Sequence, residues 1–201
     1  MDHSEYKEQI EDILLRIVEV TSAPNALFSA DDKEDAGILH TFIDNGTGHL
    51  FCYLNYKNLQ GYGRKTYAED SANAFIKAID DVRPYVNMLS DIGITKRDQI
   101  KTWEDDDGIE YGSTRNDPQV IVAIPDSMHS VTELNKMLFQ IVIRQSLELL
   151  KDPSFEDPKA EVDALIDAAF GKDSNQADEL RAAISPYYNG EMRAEGQGTA
   201  R

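Results

Sequence analysis

The chain has 201 residues, with 37 acidic and 20 basic side chains and a formal charge of −17. Hydrophobic residues make up 41%, and a chain of this length can bury a core without disulfides or metals. The charge argues against nucleic acid and anionic membrane surfaces as partners, because both are bound through Lys and Arg. It favours a basic protein partner, or simply solubility.

The composition also bears on location. Cys52 is the one cysteine, so no intramolecular disulfide forms, which suits a reducing cytoplasm. The segment Met1–Glu5 lacks the basic start and apolar run of a signal peptide, and no apolar run approaches the length of a membrane span. We therefore expect a cytoplasmic protein without membrane association.

The first half of the chain predicts helical and strand elements in turn. Apolar residues at helical spacing predict an amphipathic helix over residues 4–20. The short run Ala26–Phe28 is a candidate edge strand, and an acidic loop follows at residues 31–35. Strands over 38–43 and 49–56 then flank a turn whose Asn-Gly pair favours a tight hairpin.

A second helix follows the polar loop 57–65. Thr66 and Glu69 have the spacing of a capping box, and Pro84 should kink or restart this helix because it cannot donate to the preceding turn. Residues 91–95 are predicted to form a turn.

The second half predicts another hairpin and the most strongly amphipathic helix. The hairpin runs over 100–111 and turns at Asp106–Gly108, and a loop through residues 115–118 leads to a central strand over 119–124. Ser130 begins the third helix as the first residue of a capping box, and the helix runs to about residue 150.

The last fifty residues differ in character. Asp157 and Ser174 are predicted N-caps of two short helices, which end at Gly171 and Pro186. We therefore divide the chain into an α+β domain over 1–151, a helical hairpin over 152–188 and a flexible tail over 189–201. The α+β domain is predicted to hold an antiparallel sheet of about five strands and three main helices, in the order α-β-β-β-α-β-β-α.

This element order, together with the acidity, resembles the fold of type III secretion chaperones and of the related YbjN-like domains. The resemblance covers residues 4–150 and implies a protein-binding module, often dimeric, without catalysis. It includes no sequence motif, so no functional residue is carried over. Phage tail-terminator proteins are a second fold analogy, with the third helix fitting less well.

The first hairpin carries the leading candidate site. By strand alternation one of its faces holds histidines and aromatic rings, at His40, Phe42, His49, Phe51 and Tyr53. The opposite face holds Thr41, Ile43, Leu50, Cys52 and Leu54, so both faces are apolar. Helices, a subunit or the appended hairpin could cover the aromatic face, or it could bind a protein segment, with Phe170 as a further contact. Base stacking is disfavoured by the charge, and a two-histidine metal site lacks further ligands at evident spacing.

A second candidate is the basic loop before the second helix, where Gly61, Gly63, Arg64 and Lys65 could hold an anion. It lacks the P-loop spacing, and a flexible loop is the simpler interpretation. The acidic run 105–110 does not fit an EF-hand, because the first and twelfth positions of that loop would be Trp103 and Thr114.

No residue pattern predicts catalysis, a metal or a cofactor, and Cys52 alternates into the core face, where a thiol is usually inert. The leading hypothesis is an acidic, non-enzymatic protein-binding module, such as a chaperone or assembly adaptor. The alternatives are an inhibitor that mimics nucleic acid, of the anti-restriction kind, and a virion assembly component. We also expect a homodimer or a tight complex, with the appended helices favoured as a contact to a partner.

Overall fold

The computed structural model describes residues 3–21, 39–56, 67–86, 92–104, 110–125 and 128–188. It has the predicted α+β class, and the chain divides into two compact units, Met1–Met137 and Leu138–Arg201. The elements in chain order are α1 (His3–Thr21), β1 (Leu39–Ile43), β2 (Leu50–Asn55), α2 (Tyr67–Val82), a 3-10 turn (Arg83–Tyr85), β3 (Gly93–Glu104), β4 (Glu110–Ile124), α3 (Met128–Lys151), α4 (Pro158–Phe170) and α5 (Asn175–Tyr188). Within the described ranges, no helix is long and apolar enough to cross a membrane.

The described strands form one sheet in the order β1-β2-β4-β3, with every neighbouring pair antiparallel. Four strands are therefore seen where about five were predicted, and the described order is α-β-β-α-β-β-α. The candidate edge strand Ala26–Phe28 lies outside the described residues. The central strands are β2 and β4, which agrees with the prediction that 119–124 is a central strand.

The loop predicted at residues 115–118 is part of β4, which runs unbroken from Glu110. Pro118 pairs with Asp98 of β3, and its carbonyl accepts a hydrogen bond of 3.0 Å from the Tyr56 amide beyond the end of β2. The amide and carbonyl of one strand residue point to the same edge, so the missing N–H of Pro118 also faces the β2 side. The proline therefore ends the β2–β4 pairing without removing a bond to β3.

Strand β3 begins earlier than predicted. Residues 93–95, which were expected to form part of a turn, pair with β4 from Gly93 onward, and the pairing continues past a bulge between Ile100 and Thr102. The prediction failed because Lys96 and Arg97 interrupt the apolar alternation by which a strand is recognised.

The first hairpin forms as predicted, but its left-handed residue is Gly48 (φ 72°) and not Gly46. The turn is closed by Asp44, whose carboxylate accepts from the Thr47 amide at 2.8 Å and from the Thr47 hydroxyl at 2.7 Å. This side-chain cap replaces the two-residue turn that Asn-Gly suggested.

Helices α1 and α2 pack on one face of the sheet, which we call the covered face. The Thr41 hydroxyl donates to Glu11 of α1, and Lys96 pairs with Glu69 of α2 and donates to Asn73 at 2.9 Å. Six apolar residues of this face are at most 2% exposed: Leu50, Cys52, Leu54, Val120, Val122 and Ile124. Ile43, at the end of the edge strand β1, is 36% exposed. The core of the first unit therefore lies between this face and the helices.

Pro84 and Ser130 were both predicted to mark helix boundaries, and the prediction for Ser130 is wrong. Helix α2 passes into a 3-10 turn at Pro84, as a proline that cannot continue the ladder requires. Helix α3 begins at Met128, before Ser130, and the Ser130 hydroxyl donates to the Pro125 carbonyl at 3.0 Å. Ser130 is therefore a first-turn residue that ties the helix to the end of β4, and not its cap.

In the second unit, α4 and α5 form the predicted helical hairpin. Asp157 accepts from the Ala160 amide at 3.1 Å and Ser174 from the Ala177 amide at 3.0 Å, so both predicted caps are present. Gly171 ends α4 with φ 81°, a conformation that favours glycine. Pro186 does not end α5, which continues to Tyr188.

Candidate functional site

The sheet face opposite the covered face, which we call the open face, carries the candidate site. The strand register places its residues in rows across the sheet, which run Phe42–Phe51–Ala123–Gly93 and then His40–Tyr53–Ile121–Thr95, with Gln119 and Arg97 beyond. Phe42 is 40% exposed, and Gly93, Thr95 and Arg97 are also exposed. None of the described side chains of this face is acidic.

Three aromatic rings form the centre of this face. The Phe42 ring centroid lies 5.5 Å from that of Phe51 and 5.7 Å from that of Tyr53, and both pairs are stacked. His49 lies at one end, 6.4 Å from Phe51 between ring centroids. Cross-strand aromatic pairs stabilise a sheet, so this cluster also fixes the register of β1 on β2. We call Phe42, Phe51 and Tyr53 the aromatic cluster.

A cation lies on the same cluster. The guanidinium carbon of Arg97 is 5.5 Å from the Tyr53 ring centroid, and the Arg97 Nε donates to the side-chain oxygen of Gln119 at 2.6 Å. Gln119 is buried and lies on β4, between the strand of Arg97 and the strand of Tyr53. The Arg97 side chain therefore extends across β4, where it is hydrogen-bonded to Gln119 and in contact with the Tyr53 ring. The open face therefore binds one guanidinium of its own chain by a cation–π contact.

The predicted site residues are only partly brought together. Phe42, His49, Phe51 and Tyr53 share the open face, and His40 lies in register with Tyr53. Phe170 belongs to the second unit, where it is 7% exposed and its ring lies 5.9 Å from that of Phe139. The Phe170 ring is therefore used in the packing of its own unit, and a contact of Phe170 with a protein partner stays a prediction. The anion-binding candidates Gly61, Gly63, Arg64 and Lys65 lie outside the described residues.

Cys52 lies on the covered face, fully buried as predicted. Desolvation raises the pKa of its thiol to about 12, with a smaller contribution from the Glu11 carboxylate, so the thiol is protonated at physiological pH. A protonated, buried thiol is a poor nucleophile. In the described part of the chain, no group of three or more His, Cys, Asp or Glu side chains could hold a metal ion.

Sequence reasoning missed six residues of the open face, all on β3 or β4: Gly93, Thr95, Arg97, Gln119, Ile121 and Ala123. The wrong boundary of β3 removed the three residues of that strand, whereas the three of β4 were predicted to lie in a strand that was not paired with the first hairpin. The one signal for β3 was the β-branched pair Ile94 and Thr95, which favours a strand but is too short to locate one.

Comparison with protein-family models, with curated proteins and with solved structures finds no match for this chain.

Proposed function

We propose that this chain is an acidic, non-enzymatic protein-binding module whose open face holds a basic, extended segment of a partner protein. The observation that carries the proposal is the aromatic cluster, with Phe42 exposed on a face that already holds a guanidinium. Chaperone or assembly adaptor is the functional class that such binding supports.

The size of the open face favours a segment over a globular partner. Four strands about 4.8 Å apart and six residues of β2 at about 3.3 Å each give the four-stranded part of the face an area of about 400 Å². A stable interface between globular proteins takes about 800 Å² from each partner. An extended segment needs less area, because it is narrow and contacts the face through its alternate side chains. The same argument counts against a homodimer formed by the four-stranded part alone.

Charge favours a basic segment. Residues 1–137 carry 25 acidic and 13 basic side chains, a formal charge of −12, which attracts cations at long range. At short range, an arginine of the partner can lie over the exposed Phe42 ring as Arg97 lies over Tyr53. The Asp44 carboxylate directly follows β1, and hydrogen bonds from Thr47 hold its pKa below the usual value, so it stays ionised beside this end of the face.

A nucleic-acid mimic has weaker support. A mimic needs carboxylates presented to a partner, whereas Arg181 in the second unit pairs with Asp167 and lies 3.5 Å from both Asp163 and Asp178. The acidic residues of this cluster are therefore partly neutralised within the chain.

Two labelled peptides test the proposal by fluorescence anisotropy. Each has about twelve residues. The first has arginine at the odd positions and threonine at the even positions, and the second has glutamate in place of every arginine. We expect the arginine peptide to bind and the glutamate peptide not to bind, with affinity falling as salt rises from about 50 to about 300 mM. Phe42→Ala should weaken binding by about twofold to thirtyfold, because a cation–π contact contributes about 0.5–2 kcal/mol.

Tyr85→Ala is the matched control, because Tyr85 is a 67% exposed aromatic residue on the 3-10 turn and not on the sheet. This variant should bind as the wild type does. Equal binding of both peptides, or equal affinity of Phe42→Ala and wild type, would reject the open face as the site. A shift of wild-type protein to dimer in sedimentation at tens of micromolar, abolished in Phe42→Ala, would assign the face to a second copy instead.

A further inference from the structure

A shallow notch interrupts the open face beside the aromatic cluster. The row that begins with the stacked rings of Phe42 and Phe51 ends with Ala123 and Gly93, whose side chains are a methyl group and a hydrogen. Phe51 forms one wall of the notch, and Ile121 and Thr95 of the next row form another. The row therefore has large aromatic side chains on β1 and β2 and almost no side-chain volume on β4 and β3.

The described structure does not itself require glycine at position 93. Gly93 is not among the glycines with positive φ, and a Cβ built on it meets the Ala123 Cβ at 3.5 Å, which is ordinary contact. Glycine within a strand weakens the strand, since it adds backbone entropy to the unfolded state and has no side chain to pack. In sheets it often marks a point where a ligand or another backbone approaches closely.

The spacing of the notch from Phe42 suits one extended segment that crosses the sheet. The midpoint between β4 and β3 lies two and a half strand spacings from β1, about 12 Å. Side chains on one face of an extended segment repeat every two residues, and four residues span about 13 Å. A residue four positions from the one over Phe42 would therefore lie over the notch.

We propose that the notch formed by Gly93 and Ala123 binds one aliphatic side chain of the basic segment, four residues from the arginine that lies over Phe42. This inference rests on the proposed function and adds a rule for its partner. The segment carries a cationic and an aliphatic side chain on the same face, at an interval of four. The aliphatic side chain contacts Ala123, Ile121 and the edge of Phe51, and each of these is half-buried and apolar.

The test uses two derivatives of the arginine peptide, in which the seventh residue, an arginine, is replaced by leucine or by alanine. Wild-type protein should bind the leucine peptide about tenfold more tightly than the alanine peptide, since about one aliphatic side chain is buried. Gly93→Val fills the notch and suits a strand. It should bind the leucine peptide no better than the alanine peptide, while its affinity for the alanine peptide stays at the wild-type value.

Ile43→Val is the matched control, because Ile43 is a 36% exposed residue on the opposite face of the same sheet and is also changed to valine. It should retain the preference for leucine. Equal affinity of wild-type protein for both derivatives overturns the notch, even where the arginine peptide still binds in a Phe42-dependent manner and the proposed function stands. The inference is also overturned if Gly93→Val binds neither peptide while its circular dichroism spectrum and melting temperature are unchanged. The notch would then not be specific for the aliphatic side chain. No arginine-dependent binding by any variant rejects the proposed function and this inference together.

Discussion

The two faces of the sheet are built from the same strands and are both rich in apolar residues, yet they differ in what lies against them. On the covered face, Leu54 and Val122 are at most 1% exposed beneath α1 and α2. On the open face, Phe42 is 40% exposed, and Thr95 and Arg97 are exposed beside it. The difference shows that apolar character alone does not mark a core, and that only burial separates a stabilising face from one available to a partner.

The appended helices resemble the covered face in burial, and this gives the largest expected effect. Leu165 is half-buried, and seven other apolar residues of these helices are at most 7% exposed within the chain: Val162, Ile166, Ala169, Phe170, Ala177, Leu180 and Ile184. A partner is therefore not needed to cover them, contrary to the version favoured from the sequence. Deleting residues 152–201 should lower the melting temperature by roughly 10 °C or more, because the deletion removes several buried side chains and about 1 kcal/mol corresponds to 2–4 °C.

A truncation after Tyr188 is the control, since it keeps every described residue of the second unit. An unchanged melting temperature on deletion of 152–201 would mean that the helices contribute nothing to the stability of the chain, and the partner version would return.

A pair of alanine substitutions compares the two faces directly. Leu54→Ala should lower the free energy of unfolding by about 2–5 kcal/mol, because it leaves a cavity on the fully buried face. Phe42→Ala should lower it by about 1 kcal/mol, since its ring is 40% exposed and the substitution chiefly removes the stacking on Phe51 and Tyr53. Urea unfolding of both variants measures the difference. Equal decreases would show that the open face is a second core.

Local signals were enough to predict much of the fold. Residues within a few positions of one another specify the helix caps at Asp157 and Ser174, the break at Pro84 and the first hairpin. The structure has all of these features. Side-chain alternation likewise placed Phe42 and Phe51 on one face and Cys52 on the other.

Non-local pairing was the part that the sequence did not predict. Strand β3 has few apolar residues on its open side, and Pro118 is tolerated in β4 only because β2 has ended beside it. Arg97 and Gln119 come together across two strands, which no spacing in the chain reveals. The pairing partner decided these features, and a partner strand is not visible in a local window.

Thiol reactivity offers a chemical contrast between the faces. Burial raises the pKa of Cys52 to about 12, so the thiolate fraction at pH 8 should be about a thousandfold lower than for an ordinary thiol. Cys52 should therefore label very slowly with a disulfide reagent in the folded protein. A cysteine introduced as Thr95→Cys, in a Cys52→Ala background, should label at nearly the rate of a free thiol because Thr95 is exposed. Fast labelling of Cys52 without unfolding would contradict the burial of the covered face.

The smallest expected effect concerns the turn that joins β1 to β2, at the edge of the open face. Hydrogen bonds from the Thr47 hydroxyl and amide lower the pKa of Asp44, so the folded state favours the carboxylate over the acid. The stability that this bond contributes is present above the ordinary carboxyl pKa and is lost as pH falls through the lowered value. Thr47→Val removes the hydroxyl donor and keeps the amide, so the pKa of Asp44 should rise toward its usual value in an NMR titration. Asp152 serves as the internal reference, because its pKa is lowered by Ser154 and should not change. If the pKa of Asp44 stays low in Thr47→Val, the shift is caused by the backbone amides. The Asp44 carboxylate beside the open face would then stay ionised without the Thr47 hydroxyl.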